Sequence, residues 1–227
     1  MMSTVGRIVD LSQVINADTQ IYPGDPTPSL TPAATLDGDG VNVLHVVMGS
    51  HTGTHVDAPY HFLTDGARID QLDLGLFLGS ATIADVRGLP ARSRIGWAHL
   101  EPYADELAPG RILLVHTDWS RHWRTPAYHD HPYLDTDAAA RIVATGVRTV
   151  GIDAMSVDET PAQGGAATTY PAHHVLLGAG GVIVENLTNL ESIDFVSPMV
   201  SVLPIRLDDA DGAPVRAVAL ENLAPLA

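Results

Sequence analysis

The chain has 227 residues, 45% of them hydrophobic, with 12 basic against 27 acidic residues and a formal net charge of −15. Every basic residue is arginine and cysteine is absent, which excludes disulfides, thiolate chemistry, Schiff-base lysines and the phosphate lysine of a P-loop. So acidic a surface repels nucleic acid and anionic lipid, and no apolar run approaches the roughly 20 residues of a membrane helix, so neither is expected as a partner.

The length fits a single domain over residues 1–227. The opening residues 1–7 lack the basic-then-apolar build of a secretory signal, and a cytoplasmic location is expected. In chain order, residues 7–11 read as a strand, and Tyr22-Pro23-Gly24-Asp25-Pro26 reads as a turn, because proline fixes φ and glycine accepts positive φ. Residues 41–48, 81–86 and 112–116 read as further strands. Residues 135–145 read as a helix with Asp135 or Thr136 as N-cap and Gly146 at its stop. A buried strand over 147–152 follows, then a short helix over 171–177 with Thr168 or Thr169 near its cap and Pro171 in its first turn. Strands over 182–184, 200–203 and 215–220 complete the set. The alternation predicts an α/β fold with a mixed sheet and short helices.

The stretch from His51 to His61 carries the chemistry: His51-Thr52-Gly53-Thr54-His55-Val56-Asp57-Ala58-Pro59-Tyr60-His61. Imidazole and carboxylate suit zinc, manganese or iron. An extended chain rises about 3.3 Å per residue, which would hold His51 and His55 roughly 13 Å apart. One ion with bonds of about 2.0–2.2 Å cannot span that gap, so the segment must turn. Gly53 permits the bend and, lacking a Cβ, is expected to leave room for an ion. Asp57 then returns to the same side, and His61 is either a fourth ligand or an unligated acid/base.

These residues resemble the signature of the metal-dependent cyclase family, to which bacterial kynurenine formamidases and isatin hydrolases belong. The resemblance extends to Tyr22-Pro23-Gly24-Asp25-Pro26, Val41-Asn42-Val43, Gly151-Ile152-Asp153 with Ser156-Val157-Asp158, Pro171-Ala172-His173-His174, Glu185-Asn186-Leu187 and the 209–218 segment. It implies a swivelling β/β/α fold and two further ligands, His173 and Glu185. A glutamate closing the apolar run 182–184 needs a partner in any case. The implied centre is binuclear, with zinc or possibly manganese. One ion is held by His51, His55, Asp57 and Glu185, the other by Asp57, His173 and Glu185. Its implied chemistry is attack by a metal-bound hydroxide on an amide, with His61 as catalytic acid/base. The implied substrate is N-formyl-L-kynurenine, giving kynurenine and formate in tryptophan catabolism. Hydrolysis of a cyclic amide or lactone, ring closure, or metal binding without turnover are the rivals. Tyr22 stands where the formamidases carry a substrate-lining tryptophan. A homodimer or larger homo-oligomer is also implied.

Three other stretches suggest roles. The aromatic and histidine residues over 117–131 could wall a substrate pocket, and His129-Asp130-His131 could hold a separate metal, though a solvated loop is the expectation. Arg121 and Arg124 could grip a substrate carboxylate, with surface ion pairs the plainer reading. The glycine-containing loop 159–170 could lie over the site mouth. His45, His99 and His116 are expected to be structural, and His174 to have a weaker claim than His173. No GxSxG elbow is present, and Gly178-Ala179-Gly180-Gly181 follows a helix instead of opening one, which argues against dinucleotide binding.

Overall fold

The computed structural model describes residues 5–161 and 169–222. Along the chain these form β1 (Val5–Asp10), β2 (Ser29–Ala34), α1 (Leu36–Asp39), β3 (Val43–Val47), β4 (His55–Asp57) and β5 (Leu78–Asp85). There follow β6 (Arg94–Ile95), α2 (Trp97–Leu100), β7 (Ile112–His116), β8 (Tyr133–Leu134), α3 (Thr136–Ala144), β9 (Thr149–Ile152) and α4 (Pro171–Gly178). The last strands are β10 (Val182–Glu185), β11 (Met199–Ser201), β12 (Gly212–Pro214) and β13 (Val218–Asn222), with short 3-10 turns between elements.

Nine strands make one mixed sheet in the order β1-β13-β11-β5-β7-β9-β10-β4-β12. Strands β5, β7, β9 and β10 run parallel at its centre. Antiparallel strands flank them on both sides. Strand β7 reads as a nearly continuous apolar run because both its faces are covered. All five residues of β7 are buried: Leu113 and Val115 face α3 and α4, whereas Ile112 and Leu114 join Val56, Phe77 and Val200 on the opposite face. Helix α3 starts where its cap predicts, with the Asp135 side chain accepting from the Ala138 amide at 2.7 Å.

Several elements differ from expectation. The 41–48 strand is real as β3, but among the described residues it pairs only with β2, which sequence patterning did not reveal, and every residue of β3 is exposed. His45 on β3 and His99 on α2 are therefore surface residues and only His116 is buried. Tyr170 occupies the N-cap position of α4 without a side-chain cap bond, Thr169 stands beside it as expected, and Thr168, like residues 1–4 of the opening segment and 162–168 of the expected mouth loop, lies outside the described residues. Among the described residues no helix is long and apolar enough to cross a membrane.

Candidate active site

Strand β4 supplies the centre. Its three residues alternate, so Val56 enters the core while His55 and Asp57 face the other way. Strand β10 obeys the same period, and its register sets Glu185 opposite His55. On the far edge of β4, β12 sets Gly212 opposite Asp57. Before β4 the chain turns at Gly53, φ +69°, which brings the His51 and His55 rings to a centroid distance of 4.9 Å. The glycine serves that turn and its packing: a Cβ there would meet Ile15 at 2.9 Å, so the missing atom makes room for a side chain, not for an ion as expected.

His51, His55 and Asp57 form one group whose ligand atoms lie within 4.8 Å of one another, and Asp57, His173 and Glu185 form a second. Asp57 belongs to both. Its Oδ1 lies 2.7 Å from His51 Nδ1 and 3.2 Å from His55 Nε2, and its Oδ2 lies 3.5 Å from His173 Nε2. Glu185 Oε1 is 3.4 Å from His173 Nε2 and Oε2 is 3.7 Å from His55 Nε2. Each ring is turned by its other nitrogen. His55 Nδ1 donates to the Gly53 carbonyl at 2.8 Å, and His173 Nδ1 lies 2.7 Å from Asp158 Oδ2, which directs both Nε2 atoms at the carboxylates.

The electrostatics call for positive charge. Burial disfavours a charged Asp57, yet His55, His173 and His51 hold it well below the usual carboxylate range. Burial likewise opposes charge on His51, but Asp211 and Asp57 push its pKa up to about 10. His173 is raised against its burial by Asp158, Asp57 and Glu185. Asp57 Oδ2 is buried without any hydrogen-bond partner. An orphaned carboxylate oxygen among histidine nitrogens and a second carboxylate is the donor set a hard-to-borderline divalent cation takes, so the residues present fit a metal.

A cavity of about 380 Å³ opens beside this centre, lined among others by Tyr22, His61, Phe62, Tyr170 and Asn186. The hydroxyls of Tyr22 and Tyr170 are 3.2 Å apart, and burial followed by this contact raises the Tyr22 phenol pKa. Phe62 packs on His173 with centroids 4.6 Å apart.

The family model for Cyclase matches residues 9–159, more than half of the chain. The chain belongs to the cyclase family. Among the relatives of this cyclase-family chain is the kynurenine formamidase of Bacillus mycoides (strain KBAB4), 37% identical over 92% of this chain and 95% of that one. That of Geobacillus thermodenitrificans (strain NG80-2) is 35% identical with the same coverage. Isatin hydrolase A from Labrenzia aggregata, solved with benzyl benzoate, superposes at TM-score 0.85 with 22% identity over 96% of this chain and 94% of that one. A structure described as a predicted metal-dependent hydrolase from Bacillus stearothermophilus superposes at 0.76, with 24% identity, 95% and 98% covered.

The structure gathers His51, His55, Asp57, His61, His173, Glu185 and Tyr22 around one cavity, and turns His174 outward. It does not bring the 117–131 segment there. Trp119 is buried in the core with its Nε1 donating to the Ala127 carbonyl, and Tyr128 donates from beneath to Asn186 Oδ1. His129 meets Gln20, and His131 is buried against Pro132 and Thr160, so these form no metal group among the described residues. Arg121 pairs with Asp118 and Arg124 with Asn16 and Asp18, at the surface. Two cyclase-site residues had no assigned role in the sequence. Asp158 accepts from the amides of Ala172 and His173, both at 2.9 Å, as well as facing the His173 ring. Asp211 lies against His51 and His61. Neither has a local pattern, because each acts across a long sequence separation.

Proposed function

We propose that this chain is a metal-dependent amide hydrolase that converts N-formyl-L-kynurenine to L-kynurenine and formate. The identity of 35–37% to kynurenine formamidases over nearly the whole chain supports a hydrolase of non-peptide carbon–nitrogen bonds. One observation carries the metal reading: the two oxygens of buried Asp57 face different ligand groups, and one has no hydrogen-bond partner. That supports two ions, zinc in the first instance and manganese as the alternative. His51, His55, Asp57 and Glu185 would hold one ion, and Asp57, His173 and Glu185 the other.

Bound there, such ions polarise a carbonyl and lower the pKa of a water to about 7. The chain supplies the rest. Tyr22, Phe62 and Tyr170 line the cavity and give an aryl group rings to pack against. His61 also lines it, with Nδ1 3.4 Å from Asp211 Oδ2. Its Nε2 is then the atom that takes a proton from water and returns it to the anilide nitrogen as the bond from that nitrogen to the formyl carbon breaks.

Elemental analysis of the purified protein and a formylkynurenine assay on wild type and His61→Ala test this reading. Turnover of the variant is expected to fall by about 10²–10⁴-fold with metal content unchanged. Retained turnover removes the role given to His61, and lost metal makes it a ligand.

A second reading has its own support. Among the described residues, no arginine lines the cavity. The amino-acid end of formylkynurenine carries a carboxylate, whereas a cyclic aryl amide such as isatin does not. A panel of formanilides, isatins and aryl lactones separates the two.

We also propose that two copies associate through β2 and β3. These strands carry no charged residue in a chain of net charge −15, and Val41, Val43, Leu44, Val46 and Val47 are each 43–54% exposed. An isolated two-stranded ribbon is marginal in water, and a second copy can cover this one without bringing like charges together.

A further inference from the structure

We propose that Asp211 is a positioning residue that ties a metal ligand to the acid/base: one carboxylate oxygen holds both His51 and His61. This rests on the reading of those two histidines given above. Asp211 Oδ2 lies 3.0 Å from His51 Nε2 and 3.4 Å from His61 Nδ1, while Ser50 Oγ donates to Oδ1 at 2.8 Å. The backbone is fixed as well, since the Ala58 amide donates to the Asp211 carbonyl at 2.9 Å.

His51 thus has a carboxylate at each end of its ring, Asp211 at Nε2 and Asp57 at Nδ1. A neutral imidazole has one N–H and one lone pair. With the N–H given to Asp211, the lone pair sits on Nδ1 and faces Asp57, the side on which the ligand atoms converge. Without Asp211 the ring loses the partner that selects this tautomer. The same oxygen faces His61 Nδ1 at 3.4 Å, and the His61 ring lies 4.0 Å from that of His51 at an interplanar angle of 30°.

The next residue is shaped to the same end. A Cβ on Gly212 would come within 2.7 Å of His51 Cε1 and 2.7 Å of the Val56 carbonyl, so only glycine lets the segment carrying Asp211 close over the ring. His51, His61 and Asp211 also meet the spacing of a metal group by themselves. The 3.0 Å contact from Nε2 is a hydrogen-bond distance, and Nδ1 is the atom turned to the rest of the centre, which favours positioning over direct ligation.

Asp211→Asn decides the matter, because it keeps the shape and removes the charge. Ser50→Ala, which deletes only the bond to Oδ1, gives the scale of a merely structural loss. Zinc stoichiometry and affinity, read by chelator competition, are measured beside steady-state formylkynurenine kinetics. The Asn variant is expected to bind the same number of ions about 10–100-fold more weakly. Its kcat should fall by about tenfold or more with KM little changed, and Asp211→Asn should lower kcat by a smaller factor in the His61→Ala background than in wild type. An unaltered affinity or an unaltered kcat overturns the proposal, and loss of one whole ion overturns it in favour of direct ligation. If wild type binds zinc yet turns over no formylkynurenine, the substrate reading fails, while the affinity measurement still judges Asp211.

Discussion

His131 and His173 are both buried, yet their surroundings drive their charges in opposite directions. His173 sits among three carboxylates that favour its charged form. Among the described residues His131 hydrogen-bonds the Pro132 carbonyl and the Thr160 hydroxyl, and burial pushes its pKa down to about 4. Its folded value therefore lies below the unfolded value of about 6.5, and the unfolded chain takes up the proton first. The stability this neutral ring contributes is complete above pH 6.5 or so and is lost as pH falls toward 4, by about 3 kcal/mol across that window. Urea unfolding from pH 4 to 7 should show the wild type losing that much more stability than His131→Gln. Equal slopes would show that the ring takes up its proton at the same pH in the folded as in the unfolded chain.

Strands β4 and β12 have three residues each, and between them they place His55, Asp57 and the backbone that carries Asp211. Because a Cβ on Gly212 collides with both the His51 ring and the Val56 carbonyl, Gly212→Ala should cost about 1–3 kcal/mol and weaken metal binding as His51 shifts. Thermal melting with and without chelator checks both parts; an unchanged melting temperature with full metal content would show that β12 yields freely. Such short strands explain what patterning could and could not reach. Strand β7 and helix α3 announce themselves by an apolar run and by a cap with an alanine-rich body. Three residues are too few to display a period of two, so β4 was legible only through its histidines and β12 not at all. Strand β2 carries Pro32 and buries little, so it had neither composition nor alternation to mark it. The aromatic-rich 117–131 segment misled because Trp119 and Tyr128 supply core volume, and composition does not distinguish a pocket wall from the packing beneath it.

Over the whole molecule, the net charge of −15 and the buried carboxylates Asp57, Asp158 and Glu185 act together. Burying such groups without counter-charge is costly, so a bound cation becomes part of the folded state's stability. If the ion is zinc as proposed, a concentration about 100 times its Kd would add about 2.7 kcal/mol, which for a chain of this size raises Tm by about 5–10 °C. Calorimetry with EDTA and after zinc readdition should show that shift and its reversal; an EDTA-insensitive Tm would remove the metal from the fold's stability. Light scattering should find twice the monomer mass, and Leu44→Glu with Val46→Glu on β3 should halve it. A monomeric wild type would refute association through that ribbon. Translation runs from β1 toward β13, so His51, His55 and Asp57 leave the ribosome long before their neighbours in β10 and β12 exist. A nascent chain that has not yet reached α4 lacks His173 and Glu185, two of the five proposed ligands, so the proposed centre cannot assemble until α4 and β10 have followed β4.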